Sequence, residues 1–418
     1  MNHFLKLTGL IIGLCSPLNA AAPAVVDNQT MHGKMLMGYQ GWFACPGDGS
    51  PLGHGHHWMG GNSSRPKLKV EMWPDTREFD DDELFTTPWT LPDGKPAKIF
   101  SSYNEKTVLR HFRWMRENGI DGILLQRFIG EVQDPRYFEF RNGVTRHVIK
   151  GAAKEGRVFA LEYDMSAQQA DMVVKDWKYL VDELEITNNK NHLHHKGKPV
   201  LCLWGLGFTH REGDAKKAQI LVDWLRTEAP RRYQATIVGG VPAGWRTGSG
   251  DSRAGEEWGK LYRSLDVISP WTVGRYGNDE EADRYLKESI IPDMVETKRA
   301  GVEYLPVIFP GFAWQNLHQG PPNQIPRRGG RFYWRQVYNT TNAGAVMLKA
   351  AMFDEVDEAT AMFKTVPDAS AAPREVPTLT LDADGEKLPS DWYLRLAGET
   401  SRVLRKEIPV SPAMPIKP

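Results

Sequence analysis

From residue 34 onward, apolar runs of strand length alternate with stretches whose apolar positions recur every three or four residues. The runs are "KMLMGYQGWF" (34–43), "GIDGILLQRF" (119–128), "RVFALEYDMS" (157–166), "KPVLCLWGLG" (198–207), "YQATIVGGVP" (233–242), "LDVISPWTVG" (265–274), "EYLPVIFPGF" (303–312) and "GAVMLKAAMF" (344–353). Helical patterns lie between them at 107–118, 171–184, 215–228, 281–300 and 331–339. A last one spans 389–407, where Pro389 and Ser390 form a start signal. Strands that are apolar on both faces belong to parallel sheets covered by helices. Eight strand–helix units therefore predict an α/β fold, a single (β/α)8 TIM barrel. An open doubly wound sheet is the alternative, but it rarely reaches eight regular repeats. The chain also carries no GxGxxG or GxxxxGK[ST] loop.

Barrel active sites are built where strands end, so the residues closing each run are the candidates. These are Tyr39, Gln40 and Trp42; Gln126 and Arg127; Tyr163 and Asp164; and Trp204, Trp271 and Trp314. The eighth run passes into "FDEVDEAT", which places Asp354, Glu355, Asp357 and Glu358 within five residues. Carboxylates are rarely buried without partners, because desolvating each costs several kcal/mol. Either the chain meets water there or a site needs acids. Any single aromatic reads equally well as lip packing; their convergence favours a site.

The loop after the first strand runs from Phe43 to about Ser102, long enough for a binding wall or lid. Its "HGHHW" contributes His57 and Trp58 as candidate ligand contacts. His54, His56 and His57 invite a metal reading, but neighbouring histidines in a glycine-rich loop fall short of a supported ligand set. No metal and no cofactor are assigned. The "DDDE" run at 80–83 reads as a solvated face.

Composition narrows the ligand. Fifty-two basic and 52 acidic residues balance, leaving no electrostatic footprint for nucleic acid or an anionic membrane. Fourteen Trp, 13 Tyr and 16 Phe supply flat apolar faces, and sugar rings stack their C–H faces on such surfaces. Glycoside cleavage needs an acid for the leaving oxygen and a second carboxylate as base or nucleophile. A carbohydrate substrate is thus expected, with Trp42, Trp58, Trp204, Trp271 and Trp314 as stacking platforms. At the N-terminus, one Lys, an apolar run from Leu7 to Leu14 and small residues to Ala22 form an export pattern. Residues 1–22 are expected to be a signal peptide, 23–410 one catalytic domain and 411–418 an extended tail. The protein is then secreted or periplasmic, with no membrane span; a lipid on Cys15 is the anchored alternative.

"MFDEVDEAT" resembles the strand-eight motif WNEWxEGT of glycoside hydrolase family 99, the endo-α-mannosidases. "GYQGWF", "ALEYDMS" and "RRGGRFYWRQ" are similar to further segments of that family, in order across residues 35–365. The related family 71 of α-1,3-glucanases shares the fold, and the chain resembles a bacterial group between the two. The resemblance implies Glu355 as the base that deprotonates the sugar 2-hydroxyl and Glu358 as the acid/base, in a retaining reaction through a 1,2-anhydro sugar. Asp354 and Asp357 join them as tuning acids in the substrate site. Phe353, Asp354, Val356 and Ala359 depart from the motif, which leaves the sugar open. The alternatives are a glycosidase acting on xylan, arabinan or a sulfated polysaccharide, a non-catalytic carbohydrate-binding barrel, and a metal-dependent hydrolase.

Overall fold

The computed structural model describes residues 25–62 and 65–418; the expected signal peptide and Cys15 lie outside the described residues. Among the described residues, eight parallel strands pair in sequence order into a closed ring. The first is Met35–Tyr39, the second Gly122–Phe128, the third Val158–Asp164 and the fourth Lys198–Trp204. The fifth is Thr236–Val241 and the sixth Val267–Pro270. The seventh comes in two pieces, Glu303–Tyr304 and Val307–Ile308, on either side of Leu305 and Pro306. Its first piece pairs with the sixth strand and its second with the eighth, Leu348–Ala350. The eighth pairs with the first and closes the ring. This is the expected (β/α)8 TIM barrel.

Each strand is followed by a helix. The six expected from periodicity are present, and two more occupy Pro135–Glu155 and Glu256–Ser264. Side-chain caps set several starts. Asn104 accepts from the amides of Lys106 and Thr107, and Asp134 caps a helix that opens on Pro135.

Alternation along the strands stacks the barrel interior in layers. Leu36, Leu124, Val158, Ala160, Val200, Cys202, Val238 and Val267 share one apolar cluster. One step toward the strand C-termini lies a polar layer in which Lys349 Nζ contacts both oxygens of Glu162 (2.5 and 2.7 Å). Gln126 Nε2 donates to Glu162 Oε2 (2.6 Å), so the buried charges are paired and hydrogen-bonded.

The long loop carries two antiparallel hairpins, Met59–Asn62 with Arg65–Leu68 and Leu84–Thr90 with Pro96–Phe100. Its "DDDE" run is not wholly solvated. Glu83 is fully buried, paired with Arg110 and accepting from Thr107 Oγ1 (3.2 Å). The C-terminal segment lies against the body: Trp334 Nε1 donates to Ser411 O (3.0 Å).

Candidate active site

The four acids do not end a strand. They occupy a loop beyond Ala350, closed where Met352 N donates to Thr360 O (3.1 Å) and Met362 N to Met352 O (3.0 Å). Two contacts set its shape. Asp354 accepts from the amides of Gln40 (2.7 Å) and Gly41 (3.0 Å), binding the loop to the turn after the first strand. Arg327, buried ahead of the helix Arg331–Asn342, donates through Nη2 to Ala359 O (2.8 Å) and Ala361 O (2.6 Å). Asp354 thus holds the Gln40 backbone, and the Gln40 side chain in turn holds Glu355: Nε2 donates to Oε1 at 2.5 Å, while Thr360 Oγ1 donates to Oε2 at 2.7 Å. Glu358 accepts from the Trp314 side chain and is partly exposed.

Glu355 and Glu358 open into one cavity of about 560 Å³ at the C-terminal ends of the strands. Of the residues expected from sequence, Gln40, Trp42, Gln126, Asp164, Trp204, Trp271 and Trp314 also line it. Trp204 and Trp271 meet edge to face at 5.3 Å. Gly240, level with Trp204 on the next strand, leaves room for that indole; a Cβ there would sit 2.5 Å from Cδ1. Asp164 pairs with Arg211, whose guanidinium lies 4.4 Å over Trp204.

Other expected contacts lie behind the wall. Arg127 and Tyr163 alternate with Gln126 and Asp164, so they face outward to the helices, where both bind Asp176. Tyr39, fully buried, meets His111 (2.9 Å) by the same alternation. Trp58 is no stacking platform: it is buried under the long loop, donating to Phe100 O (2.8 Å). His57 stacks on Trp42 at 3.7 Å and 5°, and its Nδ1 lies 2.8 Å from Asp357 Oδ2. His57 and Asp357 thus stand behind Trp42, and Asp354 braces the loop.

The cavity also contains residues the sequence reading omitted, among them Phe128, Phe208, His210, Arg211, Arg275 and Gln324. Phe128 was recoverable, since it stands two residues beyond Gln126 and shares its face. The rest come from loops whose paths no periodicity encodes.

Burial sets the electrostatics. It raises Asp354, Asp357 and Glu358 to about 7 and Glu355 well above the usual carboxylate range. Repulsion adds to burial, chiefly from Glu358 on Glu355 and from Asp357 on Glu358. Near neutral pH the two interacting glutamates therefore keep at least one proton between them. His57 is pushed well down by burial and stays neutral. His54 Nδ1 lies 2.8 Å from Leu52 O, and its ring meets that of His56 edge to face at 5.7 Å.

The fold and cleft define a TIM barrel with an acid-rich aromatic mouth. The structure is similar to that of the glycoside hydrolase family 99 endo-α-mannosidase from Bacteroides thetaiotaomicron: TM-score 0.64, 14% identity, covering 90% of this chain and 99% of that one. The same enzyme in complex with BIS-TRIS-propane gives 0.63 and 13%, with the same coverage. A glycoside hydrolase-like protein gives 0.52 and 12%, covering 84% of this chain and 99% of that one. At these identities the likeness is one of fold, a family-99-like barrel. No family model and no curated protein matches the chain.

Proposed function

We propose that the chain is an exported glycoside hydrolase that cleaves an α-linked bond in an oligo- or polysaccharide of the α-mannan or α-glucan type. One observation carries this reading: two glutamates with raised pKa values share a cavity walled by four tryptophans. The indoles stack on sugar C–H faces, while Gln126 and Asp164 meet hydroxyls. Glu355, held at both oxygens, is the base. It takes the proton of the 2-hydroxyl as O2 attacks C1, and Glu358 protonates the departing glycosidic oxygen. A 1,2-anhydro sugar results. Water then enters with Glu358 as base, its oxygen bonds to C1, the C1–O2 bond opens and Glu355 returns the proton to O2. The product keeps the anomeric configuration without a glycosyl-enzyme bond.

The test uses exported protein, whose mass should show a start after about residue 22, incubated with α-mannan, α-glucan, xylan and sulfated algal glycans. Products are expected from an α-glycan. Glu355→Gln and Glu358→Gln should each slow turnover by at least about 10²-fold, the low end for general acid–base catalysis, with binding retained. Glu358→Gln should be least damaging on substrates whose leaving group needs no protonation. Near-native turnover in both variants would refute the assignment.

A further inference from the structure

The face of the barrel opposite the cavity is closed by the first described segment. Val26 and Met31 join the interior apolar cluster. His194 N donates to Asn28 O (2.6 Å), and Asn28 Nδ2 to His192 O (2.9 Å). At the edge of this plug, side chains from three separate elements meet. His32 lies in the turn before the first strand, His195 in the short hairpin before the fourth, and Glu303 opens the seventh. Nε2 of His32 is 2.7 Å from Glu303 Oε2, and Nε2 of His195 is 3.0 Å from the same oxygen. All three potential ligand atoms lie within 4.8 Å of one another, and the rings meet edge to face at 5.0 Å.

We propose that His32, His195 and Glu303 form a site for a divalent transition metal, Zn²⁺ by its donor set, which fastens the N-terminal plug to the barrel floor. Two imidazoles and a carboxylate suit zinc, with water as the fourth ligand. Tetrahedral zinc with bonds of about 2.0–2.1 Å holds its donors about 3.3 Å apart, a few tenths of an ångström beyond the present separations of the two nitrogens from Glu303 Oε2. His32 is half exposed, leaving room for the water, whereas His195 is buried. A supporting shell is present. Lys196 Nζ lies 3.0 Å from Glu303 Oε1. Zinc on Nε2 places the ring proton of His195 on Nδ1, where the Thr30 hydroxyl at 3.4 Å can accept it, while Met31 N–H, which donates to Nδ1 at 3.3 Å in this structure, must turn aside.

A second trio, His56, His57 and Glu131, has similar spacing behind Trp42. There the carboxylate is held by Arg141, a buried guanidinium that can neither move aside nor lose its proton. Lys196 is 40% exposed, and its contacts with Glu303 Oε1 and Asp266 O (3.3 Å) are ones a surface lysine can exchange for water, so the floor site admits a cation that the second site repels.

The site lies away from the cavity, and its test is independent of any glycosidase activity. The full chain, free of any histidine tag and stripped by chelator, is titrated with ZnCl₂ by calorimetry. Bound zinc is counted by elemental analysis, and the thermal midpoint is followed. One zinc per chain and a raised midpoint are expected. His32→Gln, a half-exposed change that leaves the core untouched, and Glu303→Gln should each weaken binding at least about tenfold. His57→Gln should bind as the wild type does. Absence of zinc uptake, unchanged uptake in His32→Gln, or loss in His57→Gln would overturn the proposal.

Discussion

At the scale of single residues, strand alternation decided which candidates reach the cavity. Sequence supplied the ends of the strands but not their phase, so Gln126 and Arg127 entered as equals, as did Tyr163 and Asp164. Only one of each pair can face the barrel axis. Ala359 carries a different kind of information. It follows Glu358 with φ of +55°, in the left-handed region that favours glycine, and the resembling motif has glycine at this position. An L-residue there costs about 1–2 kcal/mol, whereas deleting its buried methyl forfeits about 0.8 kcal/mol. Ala359→Gly should therefore leave stability unchanged or raise it by up to about 1 kcal/mol, read from denaturant midpoints. A loss above about 1 kcal/mol would show that the methyl packing outweighs the strain.

At the scale of elements, all eight strands were legible because burial on both faces removes polar positions from each run. Two helices were not. Pro135–Glu155 buries Arg141, Asn142 and Thr145, which blurs its apolar stripe, and Glu256–Ser264 offers little more than two turns. The acidic loop was legible as a cluster but not as a shape, since its form depends on partners far away in sequence. Asp354 is the clearest case. Its carboxylate satisfies two buried amides of the turn after the first strand, and leaving such donors unpaired costs about 1–3 kcal/mol. Asp354→Ala should destabilise the fold by roughly that amount. It should also release Gln40 from Glu355, lowering turnover along with stability. Asp354→Asn keeps an acceptor and should recover much of the stability. Equal behaviour of the two variants in thermal unfolding would remove the bracing role.

At the scale of the whole molecule, two sets of buried titratable groups oppose one another. Burial lowers His111 and His192 to about 3 and also depresses His56, His57, His147, His195 and His210. The folded state keeps these rings neutral, so their contribution is present above the unfolded value near 6.5 and is lost as pH falls through it. The cavity acids act in the reverse sense. Asp354, Asp357 and Glu358 stand at about 7 in the folded state, with Glu355 higher still. Each binds its proton more tightly folded than unfolded, so its contribution is complete below about pH 4 and is lost as pH rises toward 7 and just beyond. Burial also raises Glu71, Asp121, Asp164 and, to about 6, Asp293, so below 6.5 the two sets offset one another; above it the histidines are neutral in both states and the acids govern. Stability should therefore decline as pH rises from 6.5 toward 7 and just beyond, each uncompensated proton contributing about 1.4 kcal/mol per pH unit. Denaturant unfolding from pH 5 to 9 tests this, and Glu358→Gln isolates one acid. With no charge to bury at that position, the variant should lose less stability than the wild type as pH rises from about 5 to 7, and the two curves should run parallel above about 8. If the two curves run parallel from about pH 5 to 7.5, the acid at the mouth of this barrel is not held against ionisation by the fold, and its reading as the proton donor fails with it.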